Sequence, residues 1–243
     1  MRWMKSSMQN RPILYSPGVW AVLILLHVFF SAGPLAAQNK TTTLKNYYAT
    51  LLEWEGNKPA VMIEAWPREL VAAIEADVAK AVAEGALIGF RYPLEQADST
   101  NQSMGNQIER GVLPRIAEKL QHFKMTKCPG AGYPDWLATR LADGLRMPLE
   151  IKATTHWDAS DSNRRVLTSS SAKVRRQFTA PIHHLLLTIL YKVEASSVAV
   201  IEGIRLDFLE PDTRVNVRLE ASVNHRILSD GTHEKFILPK ANP

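Results

Sequence analysis

Three charged residues in the middle of the chain have the types and spacing needed for metal-dependent chemistry. Asp135 follows a proline, and Glu150 and Lys152 stand two residues apart within the apolar stretch 147–153. Residues two apart on a β-strand face the same side, so Glu150 and Lys152 should project together. Opposite charges on a strand otherwise suited to burial are costly unless they pair or bind an ion. Two carboxylates and an ammonium group of this kind can hold a divalent cation against a phosphodiester.

A β-hairpin is the element that must bring these residues together. Asp135 opens one strand-like run, Asp143-Gly144 supplies a hairpin turn, and the returning strand carries Glu150 and Lys152. Pairing across the turn brings Asp135 toward Glu150. Asp143 is therefore interpreted as a turn residue and not as a ligand.

Each half of this pattern is common when it occurs alone. Pro211-Asp212 is a second Pro-Asp pair, and no matching partner follows it. A Glu-x-Lys triplet on an exposed strand is a same-face ion pair that contributes little stability. The prediction of a site therefore depends on the two halves occurring together across a turn.

The joint pattern resembles the signature of the PD-(D/E)XK nuclease superfamily, with Pro134-Asp135 and Glu150-Ile151-Lys152 at the motif positions. Its surroundings, over roughly residues 101–220, are similar to those of type II restriction endonucleases. The resemblance implies an α/β fold with a restriction-endonuclease-like core, in which a mixed β-sheet has flanking helices and a catalytic β-hairpin. It also implies Asp135 and Glu150 as ligands of Mg²⁺, with Lys152 beside the attacking water to lower the water's pKa and stabilise developing charge.

In that group a helix before the hairpin often carries another acidic residue that supports the metal site. Here a helical run from Gly105 places four apolar residues on one face: Ile108, Val112, Ile116 and Leu120. The resemblance makes Glu109 the candidate for a catalytic and metal-supporting role. A solvated glutamate on the helix surface is the alternative interpretation. Pro114 inside the run predicts a kink or a late start of the helix.

A basic segment downstream of the Glu-x-Lys strand is the predicted DNA-facing surface. Arginine can contact phosphates or bind a guanine edge through two hydrogen bonds, and glutamine can read adenine. The candidate contacts are Arg164, Arg165, Lys173, Arg175, Arg176 and Gln177. A solvated basic helix is the alternative interpretation. The polar stretch 156–171, which overlaps this segment, is expected to be a loop.

The composition is compatible with a globular domain that binds a polyanion. The 243 residues are 46% hydrophobic and 22% charged, which suffices for one globular domain with a sizeable core. The formal net charge of +5 suits a polyanionic partner without requiring one. The single cysteine, Cys128, excludes an internal disulfide and a cysteine-clustered zinc site.

Residues 1–38 have the pattern of a secretory leader. Arg2, Lys5 and Arg11 precede the apolar run 19–32, and small residues follow it. The run is shorter than the about 20 residues that a membrane span needs. Either the leader is genuine and the protein is exported, or translation begins downstream and the protein is cytoplasmic. The absence of cysteine pairs favours the cytoplasmic interpretation, and no stable membrane association is expected unless the leader is a real signal.

The remaining pattern predicts an α/β domain with a mixed sheet. Residues 39–100 are interpreted as an N-terminal helical part and 101–243 as the nuclease core. The first part contains predicted helices over 43–55 and 67–85 and a possible strand over 86–92, and the core contains a central strand over 182–191 with further strands over 197–208 and 214–227. His183 and His184 should point to opposite faces of the central strand, so they cannot chelate a metal together. One is expected in the core and the other exposed or near DNA.

These inferences give the hypothesis of a Mg²⁺-dependent endonuclease that hydrolyses phosphodiester bonds of double-stranded DNA. A sequence-specific type II restriction enzyme would act as a homodimer, so that two sites cut the two strands of a near-palindrome. Two alternatives stay open. One is a DNA repair or recombination nuclease of the same superfamily. The other is an exported, non-enzymatic α/β binding protein in which the Pro-Asp and Glu-x-Lys pairs are coincidental.

Overall fold

The computed structural model describes residues 40–47, 63–95, 101–130, 133–156, 166–169, 178, 182–194, 197–219, 225–229 and 234–239. All of them lie within one compact unit, Asn39–Pro243. The leader, and the predicted DNA contacts Arg164, Arg165, Lys173, Arg175, Arg176 and Gln177, lie outside the described residues. Neither helix in the described ranges is long and apolar enough to cross a membrane.

Two helices and eleven strands form the regular structure of these ranges. The helices are α1 (Arg68–Glu84) and α2 (Asn101–Lys119). The strands are β1 (Lys40–Thr43), β2 (Arg91–Pro93), β3 (Phe123–Lys127), β4 (Trp136–Arg140), β5 (Arg146–Thr154), β6 (Val166–Ser169), β7 (His184–Glu194), β8 (Val198–Leu209), β9 (Arg214–Leu219), β10 (His225–Ser229) and β11 (Glu234–Leu238). Of the helix predicted over 43–55, residues 44–47 are helical, Thr43 is the last residue of β1, and 48–55 lie outside the described ranges.

The larger sheet is mixed, as the sequence predicts. Its strand order is β11-β8-β7-β5-β4-β3, with β2 also paired to β8. Strands β5 and β7 run parallel, and the other neighbours in this sheet run antiparallel. A second, antiparallel sheet has the order β1-β9-β10-β6. The domain is therefore an α/β fold in which β5 is paired with β4 on one side and with β7 on the other.

One face of the larger sheet packs against both helices. Helix α1 buries residues at helical spacing, beginning with Leu70 and Ile74. Pro67 directly precedes the helix and Gly85 directly follows it, close to the predicted bounds. These side chains join Leu149 and Leu187 of β5 and β7 in the main core. At about 25 cal/mol per Å², burial of such apolar side chains supplies most of the stabilising free energy. Because neighbouring strand residues face opposite sides, Glu150 and Lys152 lie on the other face of β5.

The hairpin between β4 and β5 forms as the sequence predicts. Gly144 adopts a φ of 75°, which favours glycine because it has no Cβ. The Asp143 carboxylate accepts a hydrogen bond from the backbone N–H of Leu145 at 3.1 Å and is ion-paired with Arg140. Asp143 is therefore a turn residue, as interpreted from the sequence.

Four predicted element boundaries are wrong. The single strand predicted over 214–227 is instead two strands, β9 and β10, which pair antiparallel. Residues 86–90 form turns, with φ 46° at Ala86, so only Arg91–Pro93 pairs as a strand. The polar stretch 156–171 contains β6, because Val166–Ser169 pairs with β10 and the ladder overrides the loop-like composition. Helix α2 begins at Asn101, well before Pro114, so the predicted late start of the helix is wrong. Pro114 lies within the helix at a solvent-exposed position.

The prediction that one of the paired histidines is exposed is also wrong. His183 is 7% exposed and His184 is fully buried. Strand β7, which begins at His184, is buried over eight consecutive residues, so both of its faces are covered there. The His183 ring lies 5.0 Å from Trp66, whereas His184 Nδ1 is hydrogen-bonded to the Tyr133 hydroxyl.

Candidate active site

The hairpin register brings the two predicted carboxylates side by side. The β4–β5 ladder ends where Trp136 pairs with Leu149. Asp135, just before this pair, is close enough to Glu150 for its charge to raise the Glu150 pKa. Trp136 is partly buried against the main core and so supports the hairpin. The convergence of Asp135 and Glu150 that the turn predicted is present in the structure.

Glu150 and Lys152 form an ion pair on the sheet face opposite the main core. Lys152 Nζ donates a hydrogen bond to Glu150 Oε1 at 2.5 Å. The Glu150 side chain is 2% exposed and that of Lys152 is 22% exposed. Among the described residues, Glu150 Oε2 has no hydrogen-bond partner and is fully buried. A buried carboxylate with one free oxygen is costly and is the kind of group that a ligand can satisfy.

Glu109 approaches this pair from helix α2. The helix packs closely on β5, since a Cβ at Gly105 would lie 3.7 Å from the carbonyl oxygen of Ala153. Glu109 is half-buried, and its carboxylate is close enough to Asp135, Glu150 and Lys152 for their charges to shift its pKa. Glu109 therefore borders the hairpin and is not a solvated surface residue.

Burial and crowding raise the pKa values of two of the three carboxyls. Burial raises the pKa of Glu150 to about 7; the charge of Lys152 opposes this shift and that of Asp135 reinforces it. Burial likewise raises the pKa of Glu109 to about 7, with Lys152 opposing the shift and the other two carboxylates reinforcing it. Both carboxyls consequently titrate near neutral pH.

Lys152 stays protonated in this setting. Burial lowers the pKa of Lys152, but the charge and hydrogen bond of Glu150, together with the charges of Glu109 and Asp135, outweigh burial and raise it above its ordinary value. The ammonium group is therefore a fixed positive charge and a hydrogen-bond donor. It is unsuited to accept a proton at neutral pH.

The carboxylates of Asp135, Glu150 and Glu109 are chemically suited to bind a hard divalent cation. Three carboxylates lie together, and one of their oxygens is buried without a partner in the described ranges. Carboxylate oxygens are the ligands that Mg²⁺ and Ca²⁺ prefer. Within those same ranges, no three His, Cys, Asp or Glu side chains are already placed to hold a metal ion. The assignment of Asp135, Glu150 and Glu109 as ligands therefore remains a prediction.

The backbone around Asp135 is held by residues that the sequence pattern did not identify. The N–H of Cys128, a buried residue just after β3, donates to the carbonyl oxygen of Asp135 at 2.8 Å. Tyr133 Oη lies 2.5 Å from His184 Nδ1. The signal available in the sequence was His184 itself, because a polar residue inside an apolar strand needs a buried partner.

A second ion pair on β8 shares the sheet face of Glu150 and Lys152. Arg205 Nε donates to Asp207 Oδ2 at 2.8 Å, and both side chains are buried. The register places Leu186 of β7 between Glu150 and Asp207, so these rows face the same side. This face is polar across several strands, a feature that local sequence patterns did not predict.

Comparisons with known proteins found only weak similarity to this chain. No family model matches the chain, and no curated protein matches it. Among solved structures, the chain is similar to the restriction endonuclease BglI bound to its DNA recognition sequence, with 11% identity and a TM-score of 0.36 over 70% of this chain and 85% of that chain. At this level of similarity, inferences about function depend on the site alone.

Proposed function

We propose that this protein is a divalent-cation-dependent nuclease that hydrolyses phosphodiester bonds of double-stranded DNA. The observation that carries the proposal is the buried Glu150 carboxyl, held 2.5 Å from Lys152 and close to Asp135, with a pKa of about 7. Burying charges in this way costs stability, and perturbed carboxyls that cluster with a cation are typical of functional sites.

The carboxylates are the groups that would hold the cation. Asp135 and Glu150 are proposed as its ligands, with Glu109 in support, and Mg²⁺ is the cation of choice for an oxygen donor set. When bound, such a cation neutralises charge on the scissile phosphate and acidifies a water molecule. The unpartnered Oε2 of Glu150 is the atom of this chain that most directly supports the assignment.

Lys152 has an electrostatic role in this proposal. Its ammonium group is protonated and fixed by the hydrogen bond to Glu150 Oε1. A preorganised positive charge stabilises negative charge that develops on the phosphate oxygens, and it needs no reorganisation during the reaction. Removal of one such group typically lowers kcat by about 100-fold or more.

Glu109 is proposed as the proton acceptor. A carboxyl with a pKa of about 7 is partly ionised at neutral pH and can take a proton from the attacking water. Its position on α2 places it beside the hairpin without making it part of the Glu150–Lys152 pair. The same carboxylate can support the cation, so both roles assigned to Glu109 from the sequence are kept.

The finer assignments are also proposals. We propose a sequence-specific type II enzyme that acts on DNA as a homodimer, since cutting both strands of a palindrome requires two sites. Arg164, Arg165, Lys173, Arg175, Arg176 and Gln177 are proposed DNA contacts, and the formal net charge of +5 supports a polyanionic partner. A cytoplasmic location suits an enzyme that must meet foreign DNA inside the cell.

The decisive experiment is cleavage of a supercoiled plasmid by purified protein with Mg²⁺, compared with the same reaction in EDTA. Asp135→Asn and Lys152→Ala should abolish cleavage. Asp212→Asn is the matched control for the first variant, because Asp212 also follows a proline but is exposed in the turn between β8 and β9. Lys124→Ala, at an exposed position on β3, is the control for the second.

The pattern of products separates the finer proposals. Discrete fragments indicate a sequence-specific enzyme, whereas a smear indicates a nuclease without sequence preference. Undiminished cleavage by Asp135→Asn, or equal cleavage in EDTA, would refute the proposed site. If the wild-type protein cuts no DNA with Mg²⁺ or Mn²⁺, the nuclease proposal fails and the Glu150–Lys152 pair is a structural one.

A further inference from the structure

A buried hydroxyl–imidazole pair lies beside the carboxylates and is not used by the chemistry above. Tyr133 Oη and His184 Nδ1 are 2.5 Å apart, and the two rings stack with centroids 5.6 Å apart and planes 9° from parallel. Tyr133 is 1% exposed and His184 is fully buried. Leaving either polar group without a partner at this depth would cost about 1–3 kcal/mol, so the bond is a strong local constraint.

The two residues stand at equivalent positions on either side of the site. Tyr133 precedes Asp135 by two residues, and His184 precedes Leu186 by two residues. Leu186 is the β7 residue paired with Glu150 in the parallel ladder. Because strand residues two apart share a face, His184 lies on the same sheet face as Glu150. The Tyr133–His184 bond thus ties the segment that leads to Asp135 to the strand that lies beside Glu150.

Asp135 is held from its other side by a backbone hydrogen bond. The Cys128 N–H donates to the Asp135 carbonyl oxygen at 2.8 Å, which fixes this residue to the end of β3. Asp135 is partly buried, and its backbone also hydrogen-bonds the Glu150 carboxyl. Its position therefore depends on how firmly the backbone on both sides is anchored.

We propose that Tyr133 and His184 are positioning residues, whose hydrogen bond sets the distance of Asp135 from Glu150 and so prepares the two carboxylates to share one cation. The inference rests on the proposed nuclease function. Positioning matters because a displacement of about 1 Å at a reacting group can reduce the rate by on the order of 100-fold. Neither residue needs to touch the substrate.

Tyr133→Phe is the sharpest test, because it deletes the hydroxyl and keeps the stacked ring. We expect kcat for plasmid cleavage to fall at least tenfold, with KM for DNA within about twofold of wild type. The affinity for Ca²⁺, measured by calorimetry without DNA, should fall at least threefold. In the cation-free protein, amide hydrogen exchange should accelerate over residues 133–137.

His184 provides a second pair of variants. His184→Asn keeps an acceptor near the position of Nδ1 and should retain most of the Ca²⁺ affinity, whereas His184→Leu should lose it to the same extent as Tyr133→Phe. The control is Trp66→Phe, which removes another buried hydrogen bond, from Trp66 Nε1 to the Leu209 carbonyl at 3.2 Å. That control should lose stability and keep wild-type kcat, Ca²⁺ affinity and exchange at residues 133–137.

The outcomes separate this inference from the nuclease proposal. If wild type cleaves DNA and Tyr133→Phe matches it in kcat, Ca²⁺ affinity and local exchange, the positioning role is overturned while the nuclease proposal stands. Equal losses in Trp66→Phe would also overturn it, since they would reflect general destabilisation. If wild type cleaves no DNA, the nuclease proposal fails, and the Ca²⁺ and exchange measurements still decide whether the pair positions Asp135.

Discussion

Cation binding by this site should depend steeply on pH between 6 and 8. Burial raises the pKa values of Glu109 and Glu150 to about 7. A carboxyl of this pKa is about one-tenth ionised at pH 6 and about nine-tenths ionised at pH 8. If both must be ionised to bind, the competent form is about 1% of molecules at pH 6 and about 80% at pH 8. The apparent Kd should then fall by on the order of 100-fold across this range.

Calorimetric titration of the DNA-free protein with Ca²⁺ at pH 6, 7 and 8 measures this dependence. Repeating the pH 6 titration in two buffers of different ionisation enthalpy gives the number of protons released, which should lie between one and two. Glu109→Gln removes one of the two carboxyls and should reduce the change in apparent Kd for Ca²⁺ between pH 6 and 8 to about tenfold. Glu118→Gln, at an exposed position on the same helix, is the matched control and should leave the effect unchanged.

An apparent Kd that changes by less than about threefold between pH 6 and 8 would refute the reasoning, because it would mean that neither carboxyl titrates in this range. A full pH effect in Glu109→Gln would refute the part assigned to Glu109. Absence of Ca²⁺ binding at every pH would remove the cation site itself.

Three further predictions concern stability. A carboxyl whose pKa is raised on folding lowers the free energy of unfolding once the pH exceeds the carboxyl's pKa in the unfolded chain. The cation-free protein should therefore lose up to roughly 3 kcal/mol of unfolding free energy from Glu150 as pH rises from 4.5 to 7. Urea unfolding of Glu150→Gln should show a correspondingly weaker pH dependence. The Asp77 carboxylate accepts hydrogen bonds from the backbone N–H groups of Gln121, His122 and Phe123 at 2.9–3.1 Å. Asp77→Ala should therefore lower the unfolding free energy by roughly 3 kcal/mol. The control Glu84→Gln, at an exposed ion pair, should lower it by less than about 1 kcal/mol. A Cβ at Gly111 would lie 2.0 Å from the Tyr92 ring, so Gly111→Ala should lower the unfolding free energy, measured by thermal unfolding, by about 1–3 kcal/mol. The double variant with Tyr92→Ala should lose less unfolding free energy than the sum of the two single variants.

The hairpin could be predicted because its determinants are local. Asp143-Gly144 encodes the turn, alternation encodes the faces of β5, and a two-residue count relates Glu150 to Lys152. The central position of β7 followed from its apolar run. In each case, residues close in sequence are also close in the fold.

The surroundings of the hairpin could not be predicted because they depend on packing between distant segments. Tyr133 and His184 are separated by 51 positions, and nothing near either residue indicates the other. Glu109 reaches the site only because α2 packs on β5. Strand β6 forms within a polar stretch because β10 supplies its hydrogen-bond partners. Tertiary contacts of this kind override local composition.

The charges around Glu150 indicate why this ion pair differs from the other pair on the same sheet face. Arg205 and Asp207 form an ion pair within β8 at 2.8 Å. The Glu150–Lys152 pair is influenced by the further carboxylates of Asp135 and Glu109, and Glu109 is influenced in turn by the exposed Lys127.

With every group ionised, the three carboxylates and two ammonium groups of this cluster carry a net charge of −1, which repels a DNA phosphate. One divalent cation changes that charge to +1, which attracts it. Under the proposed nuclease function, the cation should therefore strengthen the binding of DNA at this site, and the excess acid that destabilises the cation-free protein would couple substrate binding to the metal.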